Sequence, residues 1–102
     1  MAKTREELHE FLCGILGSRN AYFRGPESNK MSYPAIIYDL SAIATEYAND
    51  RLYKNMRAYE LILIDYDPDS KLFDELLMIP YCSFDRPYTA DNLNHWVFTL
   101  YF

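Results

Sequence analysis

The first helix of this chain is predicted by apolar residues that recur at the spacing of one helix face. Thr4, followed by Glu7 three residues later, forms a capping-box pattern that favours a helix start. Gly14 and Gly17 are the two candidates for the helix end, and Gly17 stands where a C-cap glycine is expected. The apolar stripe between these two ends consists of Leu8, Phe11, Leu12, Ile15 and Leu16.

A second helix is predicted after the run Asp67-Pro68-Asp69-Ser70. Asp67 has the chemistry of an N-cap, and Pro68 suits the first helical position, where no backbone N–H is needed. Pro80 is expected to end this helix. Its predicted apolar face consists of Leu72, Phe73, Leu76 and Leu77.

Five further segments read as strands, because they are rich in branched and aromatic residues or alternate with period two. They cover residues 21–24, 35–43, 56–66, 82–88 and 94–102. The centre of the third, 61–64, is apolar on both faces, which indicates a central strand. In the last, one face carries Trp96, Phe98, Leu100 and Phe102.

Four large apolar side chains on one face need a core to cover them, so the last segment is expected to be paired within the sheet. The order α-β-β-β-α-β-β then predicts an α+β fold, with a mixed, mainly antiparallel sheet and helices packed on it. No linker or repeat divides the chain, and residues 1–102 are expected to form one domain.

Composition narrows the class of protein further. The chain has ten tyrosines and a net charge of −5, and the negative charge argues against a general phosphate-binding surface. Cys13 and Cys82 form neither a CxxC pair nor a disulfide framework, so reduced thiols are expected. No signal peptide or membrane-spanning run is apparent, and we expect the protein to be made and folded in a cytosol.

Two side-chain patterns in the sequence are similar to sites of known chemistry. Asp65, Asp67 and Asp69 alternate as in a calcium loop, but Ser70 and Leu76 occupy the positions that need glycine and a bidentate glutamate. Ser83, Asp85 and His95 could form a triad, but no nucleophile elbow or glycine-rich loop accompanies them. We therefore expect no enzyme, no cofactor and no metal, with a small metal- or ligand-binding module as the minor alternative.

Two charged and aromatic segments are candidate contact surfaces, since tyrosine and arginine are enriched at protein interfaces. The first is a hairpin tip over residues 47–57, for which a solvated loop is the competing interpretation. The second is a turn over residues 85–92. The candidate partner-binding residues are Arg51, Tyr53, Lys54, Arg57, Asp85, Arg86 and Tyr88.

Several runs of the chain resemble the tail completion, or tail terminator, proteins of long-tailed bacteriophages and of prophages in Gram-positive bacteria. The resemblance covers residues 23–102 and is weakest in the first helix. It is carried by the runs 33–38, 57–61 and 65–70, and most of all by the long run from Leu77 to Tyr101.

The resemblance implies a structural virion protein without catalytic residues or cofactor. Such a protein caps the head-proximal end of the tail tube as a homo-hexameric ring, stops tube polymerisation and joins tail to head. Its expected partners are itself, the major tail tube protein and a head-completion or neck protein, with no membrane and no sequence-specific nucleic acid, although genome DNA passes through the ring. Its expected location is the host cytoplasm during assembly and then the virion tail. A head–tail connector is the alternative.

Overall fold

The computed structural model describes residues 4–24, 31–41 and 57–102. Within these ranges, helices and strands follow the predicted order α-β-β-β-α-β-β, and the fold is α+β. The elements are α1 (Arg5–Leu16), β1 (Ala21–Phe23), β2 (Ala35–Leu40), β3 (Ala58–Asp65), α2 (Lys71–Leu77), β4 (Cys82–Ala90) and β5 (Leu93–Tyr101). The predicted continuation of β2 to residue 43, and most of the hairpin tip, lie outside the described residues.

Helix α1 has both of its predicted caps. The Thr4 hydroxyl accepts a hydrogen bond from the Glu7 N–H at 3.2 Å, and the Glu7 carboxylate accepts one from the Thr4 N–H at 3.0 Å. Gly17 adopts the left-handed conformation at φ 71° and donates its N–H to the Cys13 carbonyl. The buried face is shifted from the predicted one, because Cys13 is buried while Phe11 is exposed at its edge and stacks on Phe102.

The predicted start of α2 is wrong. Ser70 is the N-cap, and its hydroxyl accepts the Leu72 N–H at 3.3 Å. Asp67 instead accepts the Asp69 N–H at 2.9 Å, which makes a local turn before the helix. Aspartate and serine cap equally well in isolation, so the local sequence does not choose between them.

Leu77 also departs from its predicted place on the apolar face of α2. Leu76 is buried and Leu77 is exposed. Neighbouring residues on a helix point about 100° apart, because a turn holds about 3.6 residues. A helix of seven residues against one sheet therefore buries Leu76 and directs Leu77 to solvent.

The strands form one five-stranded sheet in the order β1-β2-β3-β5-β4. β1 runs parallel to β2, and the other neighbours are antiparallel. β3 is the middle strand, which confirms the prediction made from its apolar centre. β3 and β4 both pair with β5, so they run in the same direction on either side of it, and α2 connects them. This topology leaves β4 at an edge of the sheet.

The main core lies between the two helices and one face of the sheet. Tyr38, Leu61 and Phe98 stand in register across three adjacent strands and are fully buried. Leu8 and Leu12 of α1 and Leu76 of α2 belong to the same buried cluster. The alternating face of β5 packs as predicted, with Phe98 and Leu100 buried and Trp96 and Phe102 partly buried against the cluster.

Candidate interaction surface

The hairpin of β4 and β5 positions three of the predicted contact residues. Its turn has only two central residues, Asp91 and Asn92, with φ of 54° and 62°. Positive φ at both positions is the type I′ geometry, which matches the twist of paired strands. Asparagine and aspartate tolerate this conformation better than other residues with a side chain. The local sequence therefore fixes a tight, well-defined hairpin.

The contact turn predicted over residues 85–92 is wrong in its extent, because residues 85–90 belong to β4, in agreement with the strand predicted over residues 82–88. Asp85, Arg86 and Tyr88 are all exposed on this edge strand. The Arg86 guanidinium donates to the Asp85 carboxylate at 2.6 Å. Both side chains are about half exposed, so this ion pair adds little stability and both groups remain accessible to a partner.

Tyr88 is held in place by a neighbour on β5. Its ring stacks on His95 with centroids 4.5 Å apart and planes 19° apart. The His95 Nδ1 lies 3.1 Å from the Leu93 carbonyl oxygen. A carbonyl oxygen can only accept, so Nδ1 carries the hydrogen in this bond. Tyr88 therefore presents a pre-oriented aromatic surface at 41% exposure.

The edge formed by β4 is protected against pairing with another strand. A β-bulge shifts the register between Phe84 and Arg86, and Pro87 has no backbone N–H to donate. Bulges, prolines and charged side chains are the usual means of blocking an open edge. Contacts at β4 are therefore expected through side chains and not through an added strand.

Arg57 lies at the opposite end of the sheet. Its N–H and carbonyl exchange two hydrogen bonds with Phe102, at 3.0 and 2.8 Å, and its side chain is exposed. Tyr88 pairs with His95 of β5, and His95 lies seven residues before Phe102 in the sequence. At about 3.3 Å per residue, Arg57 and Tyr88 are separated by roughly 23 Å along the strand direction. Arg51, Tyr53 and Lys54 lie outside the described residues.

A partly buried row of polar side chains links α1 to β2, which the sequence did not predict. His9 Nδ1 lies 2.9 Å from the Tyr38 hydroxyl, and Cys13 Sγ lies 3.7 Å from His9 Nε2. Burial raises the pKa of the Tyr38 hydroxyl. The helical spacing of His9 and Cys13 is visible in the sequence, but nothing local places Tyr38, 29 residues away, beside them.

A cavity of about 250 Å³ lies beside these polar side chains. It is lined by Arg5, Glu6, His9, Glu10, Phe23 and Tyr38. Two guanidinium groups flank the Phe23 ring, Arg5 at 4.6 Å and Arg24 at 4.9 Å from its centroid. Neighbouring charges offset one another here: Arg5 lies 3.7 Å from Glu6, Arg24 lies 3.3 Å from Asp39, and Glu10 accepts two hydrogen bonds from Arg19 at 2.8 and 3.0 Å. The cavity therefore has no excess of either charge with which to select an ionic ligand.

Cys82 is the second thiol of the chain, at the start of β4. Burial raises its pKa to about 11. A thiol with this pKa is protonated near neutral pH and is a poor nucleophile or metal ligand.

Two of the alternating aspartates accept hydrogen bonds from the backbone with their side chains. Asp65 accepts the N–H of Asp67 at 3.3 Å, and Asp67 accepts that of Asp69 at 2.9 Å. Among residues 4–24, 31–41 and 57–102, no group of three His, Cys, Asp or Glu side chains is placed to hold a metal ion.

The imagined triad is not assembled. Ser83 of β4 pairs with Thr99 of β5, and Thr99 lies four residues along β5 from His95. This register separates Ser83 from His95 by roughly 13 Å.

No helix in the described part of the chain is long and apolar enough to cross a membrane.

Comparisons of the chain with known protein families, with characterised proteins and with solved structures gave no match. The likeness to phage tail completion proteins is therefore a resemblance of sequence runs, and the function it implies stays a prediction.

Proposed function

We propose that this chain is a structural protein of a long-tailed bacteriophage that caps the head-proximal end of the tail tube and joins the tail to the head. The proposal combines the sequence resemblance with one structural observation. Asp85, Arg86 and Tyr88 form an exposed charged and aromatic patch on a rigid hairpin, and Arg57 is exposed roughly 23 Å away along the strand direction, at the other end of the sheet.

Two separate surfaces are what a ring requires, and the patch on β4 and the exposed Arg57 side chain lie on different parts of the subunit. Subunits of a ring meet head to tail, so each subunit presents two different surfaces that complement each other. A contact at β4 through side chains is compatible with a closed ring, because the blocked edge does not propagate an open sheet. The net charge of −5 also disfavours adhesion to DNA that passes through such a ring.

The test is assembly of the tail tube protein of the same phage with and without this protein. We expect capped tubes of limited length in electron micrographs, and a mass that rises to that of a ring with increasing concentration. Reversing charge with Arg86→Glu should weaken ring formation and capping, whereas Lys71→Glu, an exposed charge reversal on α2, should leave both unchanged.

A protein that stays monomeric and leaves tube growth unaltered would refute the proposal. A protein that binds filled heads but not tubes would support the connector alternative instead.

A further inference from the structure

The corner between α2 and β4 exposes three large apolar side chains. α2 ends at Leu77, and residues 79–82 turn tightly into β4, with the Cys82 N–H bonded to the Ile79 carbonyl at 3.2 Å. Met78 is 83% exposed, Tyr81 is 59% exposed and Leu77 is 42% exposed. These three side chains follow one another within five residues, and they constitute the corner patch.

Tyr81 occupies a backbone position that favours glycine. It is the third residue of the turn, directly after Pro80, and its φ is 62°. A type II turn needs positive φ at this position, where glycine fits without cost. A residue with a side chain there costs about 1 kcal/mol or more. The backbone geometry therefore disfavours a tyrosine at this position, and its side chain is mostly exposed.

The charge beside the patch is negative. Asp74 and Glu75 are exposed and lie four and three residues before Met78, on the same face of the helix. Neither carboxylate forms an ion pair with any other described residue. The last turn of α2 contains no basic residue. No side chain of that turn therefore offsets the partial negative charge of the carbonyl groups at the end of the helix.

We propose that the corner patch docks a basic segment of another protein, in which an apolar side chain is flanked by lysine or arginine. The apolar group contacts Met78, Tyr81 and Leu77, and the cation contacts Asp74, Glu75 and the carbonyl end of α2. Methionine adapts to varied apolar shapes, and tyrosine is a frequent anchor at interfaces. Symmetric pairing of two copies at this patch would bring like charges together and is disfavoured. The proposal does not depend on a role in a phage tail.

The test uses a short synthetic peptide that alternates leucine and lysine, titrated into the full chain while amide chemical shifts are followed. We expect the largest shifts in residues 74–82 and none with the matched peptide that carries glutamate in place of lysine. Met78→Ser should weaken binding about tenfold, in the range found for an exposed apolar anchor. Leu40→Ser, at a similarly exposed leucine on β2, should leave affinity unchanged.

The charge contribution is tested separately by Asp74→Asn with Glu75→Gln, which keeps the shape of both side chains and should also weaken binding. All variants should melt as the wild type does, because the altered groups are exposed. Shifts centred elsewhere, or unchanged affinity in the Met78 and carboxylate variants, would overturn the proposal. Shifts at the corner that grow with protein concentration without peptide would do the same, since they would identify a second copy as the occupant.

Discussion

Tyr38 and Tyr59 lie on the same buried face of neighbouring strands, with ring centroids 6.4 Å apart. The Tyr38 hydroxyl has His9 at 2.9 Å. The Tyr59 hydroxyl is buried and has no hydrogen-bond partner among the described residues. Burying a hydroxyl without a partner costs free energy, whereas a satisfied one stabilises the fold modestly. The same residue type is thus expected to have opposite effects on stability at two adjacent sites.

The two hydroxyls can be compared by the same substitution. Tyr38→Phe should lower the free energy of unfolding by about 1 kcal/mol, because it leaves His9 without its partner. Tyr59→Phe should be neutral or raise it, because it removes an unsatisfied group and keeps the ring. Chemical denaturation measures both, and each variant is the control for the other. A larger loss in Tyr59→Phe than in Tyr38→Phe would contradict the assigned hydrogen bonding.

Among the elements, β5 contributes most to the assembly of the sheet. It lies between β3 and β4 and pairs with both along its length. Its alternating residues Phe98 and Leu100 are completely buried against the helices, and Val97 is buried on the opposite face. An interior strand with buried side chains on both faces cannot detach without opening the core.

Shortening Leu100 should therefore be costly. Leu100→Ala removes a fully buried side chain and is expected to lower the free energy of unfolding by about 2–5 kcal/mol. Thr99→Ala, at the neighbouring half-buried position on the other face, should cost less than about 1 kcal/mol. Thermal or denaturant unfolding of the two variants measures the difference. Equal stability of both would show that Leu100 is not part of the core.

At the scale of the whole molecule, the two edges of the sheet decide how it meets other chains. β1 has only three residues, which makes it a poor template for a further strand. β4 has nine residues and an exposed face, but its bulge and Pro87 interrupt its outer edge. Further strand pairing is thus disfavoured at both of these edges, and β4 exposes side chains instead of a continuous backbone edge.

Removing the proline should expose this edge. Pro87→Val restores a backbone N–H and adds a residue with high β-propensity. We expect concentration-dependent self-association in light scattering, beyond any assembly of the wild type. Thr89→Val, which raises β-propensity on the same exposed strand without adding an N–H, is the matched control. Equal association of the two variants would indicate that hydrophobicity, and not the freed edge, is responsible.

The sequence by itself determined the elements whose signals are local. The caps of α1 depend on Thr4, Glu7 and Gly17, all within one helix, and the alternation of β5 follows from a period of two. Both were predicted correctly because backbone geometry links these residues directly. The apolar centre of β3 also indicated its central position.

Only the tertiary structure decided which of several equivalent local choices was used. It selected Ser70 over Asp67 as a cap, exposed Leu77 and placed β4 at the edge of the sheet, where Asp85, Arg86 and Tyr88 are exposed. It also brought Tyr38 to His9 and created the corner patch at α2. The physical reason is that burial and strand order depend on contacts between residues far apart in the chain, which no local pattern encodes.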